Sequence, residues 1–548
     1  MSAFERHPDD VLAELEALRS ADAPTHGGRV LSYVYDSGLP ELDELAARAA
    51  RLVQAVNGLD PTTFTSVAAM ESGVVGFARR VFHGGGAGAG GAGGAGGAGG
   101  ARGDDVVVGS VTSGGTESCL LAVKTARDVW RAARAGTPRT PRIVAPTTVH
   151  AAFHKAAHYF GLELDLVPVD PGTGAPTPAA IEERLGDDVA LVVLSAPSYP
   201  FATLDPIADV AAITDSRGIA LHVDACIGGF ALAFWPDDLP AWDFRVPGVT
   251  SLSADLHKYG YAPKGVSVLL TRGRDRQRHQ YFATTDWPGY PVVNPTMAGS
   301  KPAGPLAAAW AITGVLGEGG FAELTARAAS ATRELLDVID GIEGLRVVGE
   351  PTGPLLAVTV DERVPADRRV DPHHWADAAR ESGWHVQLQP GRVQSDGTRL
   401  PHTSHLTVTP VTQSVVSELS AALAAAADRV RGVPAVDGHE LVAGLAAQLP
   451  GGVEALAAAS AGVDSDGAAA LLRAFGLLGG GAGADDGAGG AGGADAAGSA
   501  GASGAGGGGG GALPDRLAPV LALVEALPGS LTERLLIELL ARVVEPRD

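Results

Sequence analysis

Short β-branched runs and longer helical segments alternate through the middle of the chain. The runs "RIVAP" (142–146), "VALVVLSAP" (189–197), "IALHVDA" (219–225) and "VTSLSA" (249–254) are separated by stretches such as "ESCLLAVKTARDVWRAA" (117–133) and "IADVAAITDSRG" (207–218). Apolar runs without in–out alternation belong to strands buried on both faces, and helices between them supply the cover. The expected fold class is therefore α/β, with a large domain over 57–300 built on a mainly parallel sheet. From residue 301 the texture changes. An Ala-rich helical region precedes "LLAVTV" (355–360) and "SHLTVTP" (404–410), which predicts a smaller α+β C-terminal domain over 301–432. An N-terminal helical segment (1–56), an extension with a Gly/Ala linker (433–512) and a C-terminal helical segment (513–548) complete the division.

Two stretches are low in complexity. "GGGAGAGGAGGAGGAGG" (84–100) reads as a loop insertion, which is entropically cheap to accommodate. The second, residues 479–512, reads as a linker. Beyond it "GSLTERLLIELLARVV" (529–544) offers Ser530 and Glu533 as a capping box ahead of an apolar-periodic helix. That helix is expected to dock back on the body, because its apolar face needs a partner.

A formal charge of −22 excludes a nucleic-acid surface or an anionic membrane as the main partner. The start of the chain is acidic and lacks the basic and apolar runs of a signal peptide. No apolar stretch is long enough to span a bilayer, so a cytoplasmic protein without a transmembrane segment is expected. The two cysteines, Cys119 and Cys226, stand far apart in unlike contexts. They form neither a disulfide framework nor a metal-ligand spacing, which fits a reducing compartment.

Three motifs carry chemistry. In "VTSGGTESCLL" (111–121) a strand ends, Gly114 and Gly115 follow, and a helix begins near Thr116. Backbone N–H groups at a helix N-terminus, approached closely past glycine, form an anion site, although an ordinary capped turn reads the same way. In "IALHVDACIGGF" (219–230) an apolar strand ends at Asp224, where ligands of open α/β sheets sit; alone it could equally be a loop or capping aspartate. In "SADLHKYGYAPKG" (253–265) stands Lys258, one of only five lysines in the chain. A lysine amine can be desolvated and form a Schiff base, whereas a guanidinium cannot. Strand-end glycines, a strand-end carboxylate and a strand-end lysine together describe a site for pyridoxal 5'-phosphate, more specifically than any one of them. His150, His154 and His158 share a helical spacing, but no carboxylate completes a zinc pattern, so no resident metal is expected.

The strings "VTSGGTES", "APTTVHAAFHKAAHYFG", "LHVDACIGGF", "DFRVPGVTSLSADLHKYGYAPKG" and "DWPGYPVVNPTMAGSKP" resemble the sphingosine-1-phosphate lyases. These belong to the fold-type-I pyridoxal phosphate enzymes and lie near the group II decarboxylases. The resemblance runs from about residue 28 to 432. It implies that Lys258 binds the cofactor aldehyde, Asp224 keeps its ring nitrogen protonated, and His150 stacks on its face. It also implies that Gly114, Gly115, Thr116 and His257 hold the phosphate, with Ser300 reaching in from a second subunit of a homodimer. Cys226 stands beside the cofactor where related decarboxylases usually have alanine, and Tyr35, Asn57 and Lys264 lie near the polar head of the substrate.

The implied activity is retro-aldol cleavage of a phosphorylated 2-amino-3-hydroxy substrate, giving a long-chain aldehyde and phosphoethanolamine. The alternative is an amino-acid decarboxylase, and a third reading, a binding protein on the same fold, is opposed by the retention of Lys258, Asp224 and His150. Three positions depart from the lyase pattern: Asp60 and Phe201 stand where histidines are usual, and Lys301 where arginine is usual. A carboxylate at 60 facing the site would repel a substrate phosphate.

Overall fold

Strand β4 (Val189–Ser195) is buried along its whole length. From Leu191 on its side chains divide by parity: Val192 and Leu194 join the core on one face of a sheet, and Leu191 and Val193 join the core on the other. This is the two-faced burial that an unbroken Val/Leu run dictates. The computed structural model describes residues 4–85, 106–134, 139–447, 462–475, 477–478, 514 and 516–546. In it β4 is joined by β1 (Val107–Thr112), β2 (Arg142–Pro146), β3 (Glu163–Val167), β5 (Ala220–Asp224), β6 (Ser251–Ala254) and β7 (Ser267–Arg272). The seven strands run in the order β1-β7-β6-β5-β4-β2-β3. β7 is antiparallel to both neighbours and the remaining pairs are parallel, so all strands but β7 end on one edge.

Helices Gly115–Ala133 and Ala151–Phe160 cover one face, burying Leu120, Val123, Trp130 and Phe153. The other face carries Thr65–Val81, Ile207–Ser216 and the long Gly304–Asp340, which breaks at Gly317 (φ 52°, ψ −172°). There Phe77, Phe82, Phe230 and Phe321 pack with ring centroids 5.1 to 6.3 Å apart. Offset and tilted rings at these separations add to the burial of their area.

A second, antiparallel sheet runs in the order Leu345–Val347, Leu355–Val360, Thr403–Thr407, Gln387–Gln389. Helices Pro372–Glu381 and Thr412–Val430 pack together beside it, with the Trp375 indole N–H donating to the Leu423 carbonyl at 2.9 Å. The N-terminal segment docks on this sheet. Leu31 N–H donates to His385 O, Thr407 N–H donates to Leu31 O, and Arg29 lies over the Trp384 ring at 4.1 Å. One side-chain amide ties the two sheets. Buried Gln394 accepts from Val169 N–H at 2.9 Å and donates to Val169 O at 2.8 Å, replacing a missing strand partner just past β3.

The chain divides into two compact units, residues 1–433 and 434–548. In the second, helices Gly438–Ala446, Ser465–Ala474, Ala518–Ala526 and Gly529–Val543 bury Leu471, Leu472, Leu523, Leu531 and Leu535 together. The terminal helix thus has an apolar partner within its own unit. Its expected capping box does not form. The helix starts at Gly529 with Pro528 as N-cap and no side-chain cap, so Ser530 lies inside the first turn rather than ahead of it. The Gly/Ala tracts read as insertion and linker lie, for residues 86–100 and 479–512, outside the described residues. No described helix is long and apolar enough to cross a membrane.

The turn after β5 is packed too tightly for any side chain at 228. A Cβ on Gly228 would lie 2.1 Å from the Ala196 carbonyl oxygen and 2.5 Å from Pro197 Cδ. Overpacking against backbone costs about 1–3 kcal/mol or more. Gly228→Ala is therefore expected to lower the urea midpoint of the first unit markedly, and an unchanged midpoint would show that this turn relaxes freely.

Candidate active site

The edge on which β1, β2, β4, β5 and β6 end opens into a cavity of about 890 Å³, roofed by residues 387–403 of the smaller sheet and its hairpin. After β1, Gly114 takes φ 147°, ψ 170°, a conformation essentially restricted to glycine. A Cβ there would lie 3.1 Å from His257 Cε1. One added at Gly115 would lie 2.6 and 2.8 Å from the Asp255 carboxylate oxygens and 2.9 Å from Cys226 Sγ. The helix therefore begins against the cavity wall because no side chain intervenes. Buried Glu117 steadies this first turn, accepting from Ser113 N–H and Met297 N–H, each at 2.6 Å.

After β2, His150 caps the helix Ala151–Phe160, its Nδ1 accepting from Ala152 N–H at 3.2 Å, and its ring is exposed at the cavity wall. After β4, Tyr199 stacks on His405 at 4.2 Å between centroids. At the end of β5, Asp224 is buried and accepts from Cys226 N–H at 3.0 Å. Behind it His222 lies between the hydroxyls of Ser251 and Ser253, at 2.9 and 3.1 Å, and full burial pulls its pKa down to about 4. The ring beneath the site is thus neutral near pH 7.

The loop after β6 carries the charge. Asp255 Oδ2 lies 3.1 Å from Lys258 Nζ and 3.4 Å from His257 Nε2, and Oδ1 has no hydrogen-bond partner. Burial alone would raise the Asp255 carboxyl, but Lys258 and His257 hold it well below the usual carboxylate range. Burial likewise opposes the charge on Lys258, and Asp255 overcomes it, so the ammonium is held above its ordinary range. Lys264 differs. Burial and the neighbouring charge of Lys258 bring its pKa down to about 8; its Nζ donates to His257 O at 3.1 Å and sits 4.5 Å above the Tyr35 ring. Burial pushes the Tyr35 phenol up to about 12, so it stays a hydrogen-bond donor at neutral pH.

Gly114, Gly115, Thr116, His150, Asp224, Cys226, His257, Lys258, Lys264 and Tyr35, all singled out from the sequence, line this one cavity. Asn57 and Ser300 do not. Asn57 Nδ2 donates to Ser300 Oγ at 3.1 Å, and Asn57 Oδ1 accepts from Lys301 N–H at 3.3 Å, in a separate cluster of the same chain. Asp60, beside it, is absorbed in its own turn. Its carboxylate accepts from the N–H and hydroxyl of both Thr62 and Thr63, which depress its pKa, and it does not line the cavity. Phe201 does line it, its ring buried with Val169, Val348 and Leu400.

Sequence reasoning missed Asp255, Cys119, Tyr199, Gln389 and Arg392, which also line the cavity. Asp255 could have been found, since it stands three residues before the lysine and so within reach of it. The residues do fit pyridoxal phosphate. A glycine-lined helix start beside His257 suits its phosphate, and a buried carboxylate suits its ring nitrogen. The partnerless buried atoms Thr148 Oγ1, Gln389 Nε2 and Asp255 Oδ1 belong to residues lining the same space, where a polar molecule can satisfy them.

The pairing of Lys258 with Asp255 has a measurable consequence. In cofactor-free protein, Asp255→Asn removes the charge that keeps the amine protonated, and each pKa unit lost gives about tenfold more neutral amine. Acylation of Lys258 at pH 8, followed by peptide mapping, is expected to run about tenfold faster or more in this variant. Equal rates would show that the carboxylate does not control the amine.

The pyridoxal-dependent decarboxylase conserved domain matches residues 98–285, and a C-terminal HTH domain of pyridoxal-dependent enzymes matches 486–542. A sphingosine-1-phosphate lyase of Dictyostelium discoideum is 32% identical over 406 residues, 73% of this chain and 69% of that protein. Sphingosine-1-phosphate lyase 1 of Rattus norvegicus is 37% identical over 354 residues, 64% of this chain but only 58% of that protein. Among solved structures, the sphingosine-1-phosphate lyase of Burkholderia pseudomallei superposes with a TM-score of 0.69 at 32% identity, covering 79% of this chain and 93% of that one. The glutamate decarboxylase of Lactobacillus brevis, with a TM-score of 0.67, is 19% identical and shares the fold alone. Fold, cofactor cradle and relatives agree, and the chain belongs to the sphingosine-1-phosphate lyase family of pyridoxal phosphate-dependent enzymes.

Proposed function

We propose that the chain cleaves the Cα–Cβ bond of a phosphorylated 2-amino-3-hydroxy sphingoid substrate, releasing a long-chain aldehyde and phosphoethanolamine. The observation that carries this reading is the convergence of Gly115, Asp224 and Lys258 on one cavity, in a chain whose similar relatives are lyases of this name. Bound pyridoxal phosphate supplies the sink for the electron pair left when a bond to the amine-bearing carbon breaks.

The protein's own residues do the rest. The N–H groups at the start of the helix Gly115–Ala133, with His257, would seat the cofactor's phosphate. Asp224, buried and acceptor-only when ionised, would keep a proton on the cofactor's ring nitrogen. Lys258, the residue that would hold the cofactor, is placed to take the proton of the substrate's 3-hydroxyl when its amine is free, and Asp255 at 3.1 Å would stabilise the charge it gains. At the mouth, Lys264 presents a compact cation and Tyr35 a phenol donor to the substrate's polar head.

Two further elements belong to this reading. A homodimer would let the Asn57–Ser300 cluster of a second copy complete the site that one chain leaves without it. Amino-acid decarboxylation is the weaker alternative, because the decarboxylase neighbour at 19% identity supports only the fold.

The decisive assay incubates cofactor-loaded protein with dihydrosphingosine 1-phosphate and follows long-chain aldehyde by mass spectrometry. Aldehyde is expected from the wild type and none from Lys258→Ala, which also loses the visible absorbance of lysine-bound cofactor. A loaded protein with a normal spectrum and no aldehyde would overturn the lyase assignment. Carbon dioxide released from amino acids would then establish the decarboxylase.

A further inference from the structure

The chain's two cysteines, 107 positions apart, meet on the cavity wall. This corrects the sequence expectation that they stand in unrelated places: the helix after β1 and the turn after β5 converge where the sheet's strands end. Cys119 in the second turn of Gly115–Ala133 and Cys226 two residues past β5 hold their sulfurs 4.0 Å apart, and both thiols are free. An Asp224 carboxylate oxygen completes a trio whose ligand atoms all lie within 4.8 Å of one another, with all three residues buried. Among the described residues no other trio of His, Cys, Asp or Glu ligand atoms is so close.

The spacing favours a metal over a disulfide. Two sulfurs bound to one tetrahedral zinc at about 2.3 Å lie roughly 3.8 Å apart, close to the separation found. A disulfide would require the sulfurs to close to about 2 Å. The thiols are otherwise lightly held, with Cys226 Sγ 3.2 Å from Ser253 Oγ. The nearby Lys258 ammonium is already paired with Asp255.

We propose that Cys119, Cys226 and Asp224 bind one thiophilic divalent cation, of the Zn²⁺ or Cd²⁺ type, in the cofactor-free chain, and that this cation and pyridoxal phosphate exclude one another. Thiolate ligands select such ions over Mg²⁺ or Ca²⁺. Each thiol gives up its proton to solvent as its sulfur lone pair binds the metal, no electron is transferred, and cavity water supplies the fourth ligand. The mutual exclusion rests on the assignment of Asp224 to the cofactor; the metal site itself does not.

The test titrates Cd²⁺ into untagged, full-length protein stripped of cofactor, following the ultraviolet charge-transfer band of cadmium thiolate. One Cd²⁺ per chain is expected, undisturbed by excess Mg²⁺, with affinity reduced about a hundredfold or more in Cys119→Ser. Circular dichroism checks that the variant folds, and Cys226→Ser replaces it if it does not. Absence of the band in wild type, or an unchanged band in a folded variant, overturns the site. In the second arm, cofactor-loaded protein should give no band, and cadmium-loaded protein should fail to take up pyridoxal phosphate. Stoichiometric cadmium with normal cofactor uptake would leave the metal site standing and overturn the exclusion, and with it the role given to Asp224.

Discussion

A half-buried ammonium and a fully buried carboxylate meet at the end of β6, with Lys258 Nζ 3.1 Å from Asp255 Oδ2. Taking both charges out of water is expensive, and a buried pair stabilises a fold only weakly, if at all. Its surroundings are arranged to meet that cost. Gly115 brings the start of a helix against the carboxylate, His257 Nε2 lies 3.4 Å from its Oδ2, and Ala254 fixes the loop by pairing with Val268 of β7. Asp255 Oδ1 still lacks a partner. A pair left incomplete in this way is poised for a ligand, which is what a site for a covalent cofactor requires.

The rest of the first unit holds a roof over this pair. The roof comes from the smaller sheet and the hairpin of strands Arg392–Val393 and Arg399–Leu400, and the hairpin is tied back by the two hydrogen bonds between Gln394 and Val169. The N-terminal segment, docked on the same sheet, delivers Tyr35 against Tyr259 at 5.3 Å, and the Tyr259 hydroxyl donates to Val408 O at 2.8 Å. Segments hundreds of residues apart therefore meet at Lys264, whose amine lies over Tyr35 and bonds the loop carrying Lys258. Burial beside a second cation lowers the Lys264 pKa to about 8. An anionic head group would reverse that shift, so substrate binding and the charge of Lys264 are coupled.

What the sequence disclosed followed from local constraint. Two-faced burial of β4 is written in its Val/Leu run, and strand-end residues must lie on one edge if the strands are parallel, which placed Gly115, Asp224 and Lys258 together. What it hid depended on long-range packing. Gln389 and Arg392 come from a domain whose position over the edge no periodicity encodes, and the approach of Cys119 to Cys226 needs a helix and a turn to converge. Asp60 shows the opposite hazard. Its place in the lyase pattern suggested a charge facing the substrate, whereas its two threonine neighbours, visible in "DPTT", already described an aspartate capping its own turn.

That turn changes how the departures at 60 and 201 should be weighed. A carboxylate held by two hydroxyls and two backbone N–H groups presents little free acceptor capacity and repels an anion less than an unpaired one. Phe201 adds apolar wall, not charge, and its ring is fixed by the core of the smaller sheet. Neither replacement supplies a cation; within one chain the lysine and arginine side chains lining the cavity are Lys258, Lys264 and Arg392. Lys258 is committed to Asp255, which leaves Lys264 and Arg392 as the other lysine and arginine side chains on the cavity wall. A point cation and a planar fork are both suited to holding a phosphate. The residues suited to the cofactor, on the β5 and β6 loops, are thus kept, while of the two departures one lies in a self-capped turn and the other adds apolar wall.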